Sequence, residues 1–274
     1  MSQELNAVTL QTSIWEEEPE AENPYDAAYC YCHGYDVFGD LLGQVGYSDY
    51  LYLLFKGEQP SPETSKAIQI LTVALANPGP RDPSTHAAMA AGVGGSTAAS
   101  TLMAALAVGA GSSGGSREIY DAMIAWRAWK EAGDNEEQRI AALSIRRTSS
   151  KQEIWPIVER PPGFSAYGQQ CALPVKQLLE LLAKTLPEGP LAWLQQARPA
   201  LEKVVSHPLA ITGVVAAAFT QIGFTADEAE MLFLLLRLPG AAAHALEQKK
   251  LGYRHFPFFS QIVEDDPDHP GERP

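Results

Sequence analysis

The side chains best suited to chemistry are few and scattered. Cys30-x-Cys32 followed by His33 brings together two thiols and an imidazole, the donor types that hold zinc. One such pair without a second at matched spacing does not complete a tetrahedral set, so no metal is expected. The three cysteines, Cys30, Cys32 and Cys171, form no paired framework, which fits a reducing, cytoplasmic setting. His33 reads as a turn residue, and His86 as a packed histidine on a helix of small residues. Trp126 and Trp129 stand three apart, a same-face helical spacing that suits core packing. The most informative segment is the Gly/Ser turn Gly109–Ser116, which carries the hydroxyl of Ser113 between two helical stretches.

These residues must be positioned by helices. Tyr47–Lys56 is apolar and aromatic, with Gly57 as its C-cap. Ser61 and Pro62 have the types of an N-cap and a first helical residue, and the helix they open is expected to reach Ala76. Ser84–Ala110 is rich in Ala, Gly, Ser and Thr and reads as one or two helices buried on most sides. Gly92, Gly94 and Gly95 would weaken an isolated helix by roughly 1 kcal/mol each, so a close neighbour must compensate, with a subunit interface as the leading candidate. Arg117–Glu131, a polar helix to about Arg147, Val175–Leu186, Leu191–Ser206 and Thr212–Gly223 follow. Thr225 and Glu228 open another helix as a capping box, with Pro239-Gly240 expected to interrupt or bend it. No strand pattern of useful length stands out, and the fold class is all-α.

The 274 residues carry a net charge of −13 and are 46% hydrophobic. A chain this acidic will not hold a phosphate backbone through bulk charge, so nucleic acid is not an expected partner. A small anion needs only a local arginine cluster. The longest apolar runs stop short of the ~20 residues of a membrane span, and Met1–Leu10 lacks the pattern of a secretory signal. No membrane partner is expected.

Several segments, in this order, resemble the citrate synthase superfamily, most closely its short citryl-CoA lyase-like branch. They are Gly34-Tyr35-Asp36, Tyr52–Pro60, Pro83-Ser84-Thr85, Gly109–Glu118, Gly163-Phe164 and Leu236–Glu247. The resemblance implies a helical fold with a large domain from residues 31–112 and 209–262, and a small domain from 113–208 inserted between them. Residues 1–30 would form an arm, and 263–274 a disordered tail. It also implies an active site in the interdomain cleft and a dimer packed through the Ala/Gly-rich helices, either with itself or with an active paralogue.

The family reaction joins an acyl-CoA to a 2-oxo acid or cleaves the resulting thioester. A carboxylate removes the proton beside the thioester carbonyl, one histidine stabilises the enolate, and a second polarises the keto group. These roles need good proton donors or acceptors within about 3 Å of the reacting atoms. The family pattern His-Gly-Gly-Ala-x-Glu is similar to Ser113–Glu118, which puts Ser113 at the first histidine. Gly-Phe-Gly-His falls on Gly163–Ala166, which puts Ala166 at the second. Asn-Val-Asp-Gly resembles Ala210–Gly213, which puts Thr212 at the carboxylate. All three are changed, and losing one such group typically costs ~10²–10⁴ in rate. By the family mechanism, no catalytic residue is expected.

Arg237 stands where the family places an arginine on a substrate carboxylate, and Arg254 matches a second. For each, a structural ion pair is the competing reading. Ser113, His207 and His244 are the remaining polar cleft candidates, although Glu118 and His244 also suit packing and hydrogen bonding. Three functions follow from the resemblance. The first is a catalytically degenerate paralogue with a regulatory or structural role. The second is an acyl-CoA-dependent transferase or lyase of altered chemistry in the same cleft, using Ser113, His207 or His244. The third is a sensor of carboxylate or CoA ligands, with Arg237 as anchor. No resident cofactor is expected, with a CoA thioester entering only as ligand or substrate.

Overall fold

A computed structural model describes residues 12–145 and 160–256. Ten α-helices account for most of them: α1 (Tyr47–Lys56), α2 (Pro62–Ala76), α3 (Pro83–Val93), α4 (Ala98–Gly109), α5 (Ser116–Glu131), α6 (Glu136–Leu143), α7 (Leu173–Thr185), α8 (Pro190–Val205), α9 (Ile211–Ile222) and α10 (Ala226–Leu251). The caps read from the sequence are in place. Ser61 accepts from the Thr64 amide, and Thr225 and Glu228 form a reciprocal capping box. The expected tail at 263–274 and the continuation of α6 toward Arg147 lie outside the described residues.

Helix α9 is the centre of the core. Its residues from Thr212 to Thr220 are all buried, so it reads as apolar all round, as a helix surrounded by others must. Phe219 and Tyr52 meet Phe224 edge to face at 5.4 and 5.8 Å. Trp126, Trp129 and Trp193 form a second aromatic knot with centroids 5.1–6.0 Å apart, capped by Arg139 stacked 4.5 Å over Trp129. The three-residue spacing of the first two tryptophans therefore serves packing.

The long helix α10 differs from expectation. Pro239 lies inside it without ending it. The turn around Gly240 lies directly on the end of α2, where a Cβ on Gly240 would meet Asn77 Cα at 2.7 Å. By length and composition α10 could cross a membrane, but here it packs against α2, α3, α4 and α5 and carries the buried Arg237.

The small-residue stretch is two helices, α3 and α4, split at Gly94–Thr97. Its glycine has the compensating neighbour that the composition demanded. A Cβ on Gly92 would come within 2.6 Å of the Ala245 carbonyl oxygen on α10. Ala88, Ala105, Ala241 and Ala245 make a separate small core at this seam.

The N-terminal arm holds the one departure from all-helical reading. β1 (Trp15–Pro19), β2 (Ala27–Cys32) and β3 (Tyr35–Asp36) form an antiparallel sheet in that order. Trp15 stands opposite Cys32, and Glu18 opposite Tyr29. The sequence concealed it because Glu16-Glu17-Glu18 does not alternate apolar with polar, the signature of a half-buried strand. Most of this hairpin has no half-buried face: residues 12–29 are exposed throughout, and burial begins only at Cys30–Cys32 at its root. Tyr35 and Asp36 close the sheet, and a short π-turn over Val37–Leu41 leads on.

The close α3–α10 seam makes a direct prediction. Gly92→Val should destabilise the protein by about 1–3 kcal/mol, read as a lower urea midpoint at unchanged slope. Wild-type stability in this variant would mean that α3 and α10 are free to separate.

Candidate functional site

The turn Gly109–Ser116 delivers the chain into α5, whose first turn carries Glu118. No side chain caps this helix, and the Glu118 carboxylate at the third position suits the positive end of the helix dipole. Glu118 is 1% exposed, so its charge must be answered inside the protein.

Arg160 answers it. Its Nη1 and Nη2 donate to the two carboxylate oxygens at 2.8 and 3.0 Å, the bidentate geometry in which Arg and carboxylate bind most strongly. Oε1 also accepts from the Gly163 amide at 2.8 Å and from the Thr212 hydroxyl at 2.9 Å. Oε2 accepts from the Gly114 amide at 2.5 Å. Arg160 Nη2 reaches Ser113 Oγ at 3.4 Å. The positions matched to the first histidine and to the carboxylate thus converge, and each is tied to one buried ion pair.

Ala166 follows on the loop that Glu118 holds at Gly163. It offers a half-buried methyl and no polar group. This loop lies on the start of α9: the Ala210 amide donates to Gly163 O at 2.9 Å, and Phe164 pairs with Leu209 in an isolated bridge. Gly163 has φ +90° and its would-be Cβ falls 2.8 Å from Gly213 Cα. Both conformation and space therefore require glycine at 163.

Arg237 grips the same turn from the other side. Its Nη1 donates to the Gly114 carbonyl at 3.1 Å, Nη2 pairs with Asp82, and the guanidinium lies 4.8 Å over Phe233. Asp82 in turn caps α3 through the Ser84 and Thr85 amides at 3.0 and 3.3 Å. The peptide of Gly114, at φ +76°, is the hub: its N–H goes to Glu118 and its C=O to Arg237. Arg237 is thus held between Asp82 and the Gly114 carbonyl.

The other candidates lie elsewhere in the fold. His244 contacts Asn77 Oδ1 at 3.0 Å, beside the end of α2. Arg254 is exposed in a short 3₁₀ turn after α10. His207 lines an open polar recess of about 550 Å³ with Cys171, Lys176, Arg198 and Glu202. Arg198 and Glu202 are paired there at 2.8 Å, and Glu202 also accepts from the Leu209 amide. Burial, followed by the Glu202 charge, pushes the Cys171 thiol above its ordinary pKa. No group of three or more His, Cys, Asp or Glu side chains suited to a metal occurs among the described residues. His33 instead sits against Leu54 O at 3.4 Å.

Arg160 was missed as a site residue because it precedes Pro161-Pro162 in what reads only as a loop. The usable signal was Glu118, an acid on the apolar face of a helix that needs a countercharge.

No family model matches the chain, and no curated protein matches it. Solved structures do. A citryl-CoA lyase from Hydrogenobacter thermophilus superposes with TM-score 0.68 at 20% identity, over 95% of this chain and 98% of that one. The ATP citrate lyase of Methanothrix soehngenii, in complex with citrate and coenzyme A, gives 0.69 at 20% identity, over 96% of this chain but 43% of that one. Citrate synthase from Thermoplasma acidophilum gives 0.57 at 17% identity, over 84% and 59%. The chain has the helical fold that these citryl-CoA lyase and citrate synthase structures share.

Two outcomes test the site geometry. Arg160→Ala strands a buried carboxylate and should cost about 3–5 kcal/mol in urea unfolding, whereas the double variant Arg160→Met, Glu118→Leu should recover part of it. A cost under about 1 kcal/mol would show the pair to be solvated. Iodoacetamide near neutral pH should modify Cys30 well before Cys171, because burial both shields the latter and depletes its thiolate.

Proposed function

We propose that this chain is a non-catalytic member of the citrate synthase superfamily, acting as a regulatory or structural subunit rather than as an acyltransferase or lyase. The observation that carries the reading is what replaces the proton-transfer machinery. At the position matched to the carboxylate, Thr212 donates a hydrogen bond to Glu118 and is a very poor base near neutral pH. At the first histidine position, Ser113 faces a guanidinium. At the second, Ala166 has nothing to donate.

Glu118 does not substitute for the missing carboxylate. Both its oxygens are occupied, by Arg160, by two backbone amides and by Thr212. The altered-chemistry reading loses support for a related reason: His207 and His244 sit in other surroundings, against Cys171 and Asn77 respectively. Arg237, already paired with Asp82, would have to break that contact to anchor a substrate carboxylate.

The subunit acts as a dimer in this reading. Met103 on α4 and Met231 and Leu246 on α10 are each more than 60% exposed, with Val108 and Leu235 also exposed. Together with the alanines of α4 they make an apolar surface of the kind that marks a subunit contact. The occupant is a second copy, or a catalytically competent relative with the same fold.

The purified chain should release no CoA thiol above the uncatalysed rate from acetyl-CoA or propionyl-CoA with a panel of 2-oxo acids, or from citryl-CoA. Sustained turnover that scales with protein concentration would overturn the non-catalytic reading.

A further inference from the structure

The N-terminal hairpin is poorly explained by the single chain. Residues 12–29 are exposed on both faces of the sheet. The outer part of the sheet, away from its root at Cys32, has no packing partner among the described residues. Trp15, Tyr25 and Tyr29 are displayed to solvent at 38, 94 and 51%. The edge strand β1 leaves one row of backbone groups unpaired within the sheet, and it carries Glu16, Glu17 and Glu18, with Glu20 and Glu22 just beyond. Such an edge resists pairing with its own copy through like charge. It suits a surface that is basic.

The location of the hairpin is fixed at its root. Cys32 is buried with Leu41 and Leu53, and His33 packs against Leu54 and Gly57 at the end of α1. Lys56, also at that end, bonds Gly223 O at 3.0 Å and Glu228 at 3.2 Å, where α10 begins. The acidic hairpin is therefore rooted at the N-terminal end of α10.

That helix is itself polarised. Asp227, Glu228 and Glu230 lie in its first turns, and Lys249 and Lys250 in its last, with Arg254 just after. Lys249, Lys250 and Arg254 are exposed, and none is in an ion pair with another of the described residues. Between the two ends runs the exposed apolar strip from Met231 to Leu246, ~22 Å at 1.5 Å per residue. Two copies packed through this strip can have their α10 helices parallel or antiparallel. The parallel arrangement places lysines against lysines and acids against acids. The antiparallel arrangement places each basic end beside the partner's acidic end and opposes the helix dipoles.

Resting on the dimer reading above, we propose that the N-terminal hairpin of each subunit docks on the basic C-terminal end of α10 in the second copy. β1, with Glu16 and Glu18 on one face and Glu17 on the other, would then lie beside Lys249, Lys250 and Arg254 across a two-fold interface. Isologous symmetry makes the contact twice per dimer, so two acidic arms clasp two basic helix ends. The apolar strip supplies the association and the arms fix its antiparallel register.

The test uses the full chain and sedimentation equilibrium at two salt concentrations. Wild type should be a dimer whose dissociation constant rises with salt. The triple variant Glu16→Lys, Glu17→Lys, Glu18→Lys and the double variant Lys249→Glu, Lys250→Glu should each weaken it at least tenfold, and combining them should restore most of the loss. Circular dichroism unchanged from wild type confirms that each variant is folded. Leu246→Asp, on the apolar strip, should give monomer whatever the arm does. A wild-type monomer at every concentration would overturn the dimer reading and the clasp with it. A dimer indifferent to both charge reversals, yet broken by Leu246→Asp, would overturn the clasp alone.

Discussion

The buried pair between Glu118 and Arg160 organises the centre of this molecule. A carboxylate and a guanidinium removed from water lose several kcal/mol of hydration each, and only close geometry and further hydrogen bonds offset that loss. Those requirements dictate what surrounds them. Glu118 must gather the Gly114 and Gly163 amides and the Thr212 hydroxyl, and in doing so it joins α5, the Gly163 loop and α9. These are the same three segments in which the family resemblance places the catalytic groups. Here one ion pair and its hydrogen bonds tie these three segments together.

The second arginine completes the arrangement. Arg237 draws the carbonyl of Gly114 toward α10 while Glu118 draws its amide toward α5. The turn is held by opposing polar contacts on one peptide, and the left-handed φ of Gly114 is what lets both be made. Asp82 extends the chain of contacts to the start of α3. The packing of the small-residue helices and the geometry of the Gly114 turn are thus linked through a single continuous polar network.

Much of the scaffold was legible in the sequence, because it rests on local rules. Ser61 before Pro62, and Thr225 before Glu228, announce helix starts by side-chain chemistry that is complete within four residues. The close approach at Gly92 was inferable from composition alone, since a glycine in an apolar helix needs a neighbour. What could not be read was non-local. Arg160 and Glu118 are 42 residues apart, and nothing in Arg160-Pro161-Pro162 announces a buried charge. Asp82, the ion-pair partner of Arg237, lies 155 residues away in sequence. The hairpin escaped because strand alternation reports a buried face, and β1 and the first half of β2 bury none within their own chain.

The central claim is that no group in this cleft can take the proton beside a thioester carbonyl. The direct measurement is exchange of the acetyl-CoA methyl protons in D₂O, followed by proton NMR with and without the protein, alone and with a 2-oxo acid present. It reads the first chemical step without requiring product. The methyl signal should decay at the same slow rate with and without protein. Decay that accelerates in proportion to protein concentration would show a working base in the cleft and contradict the account.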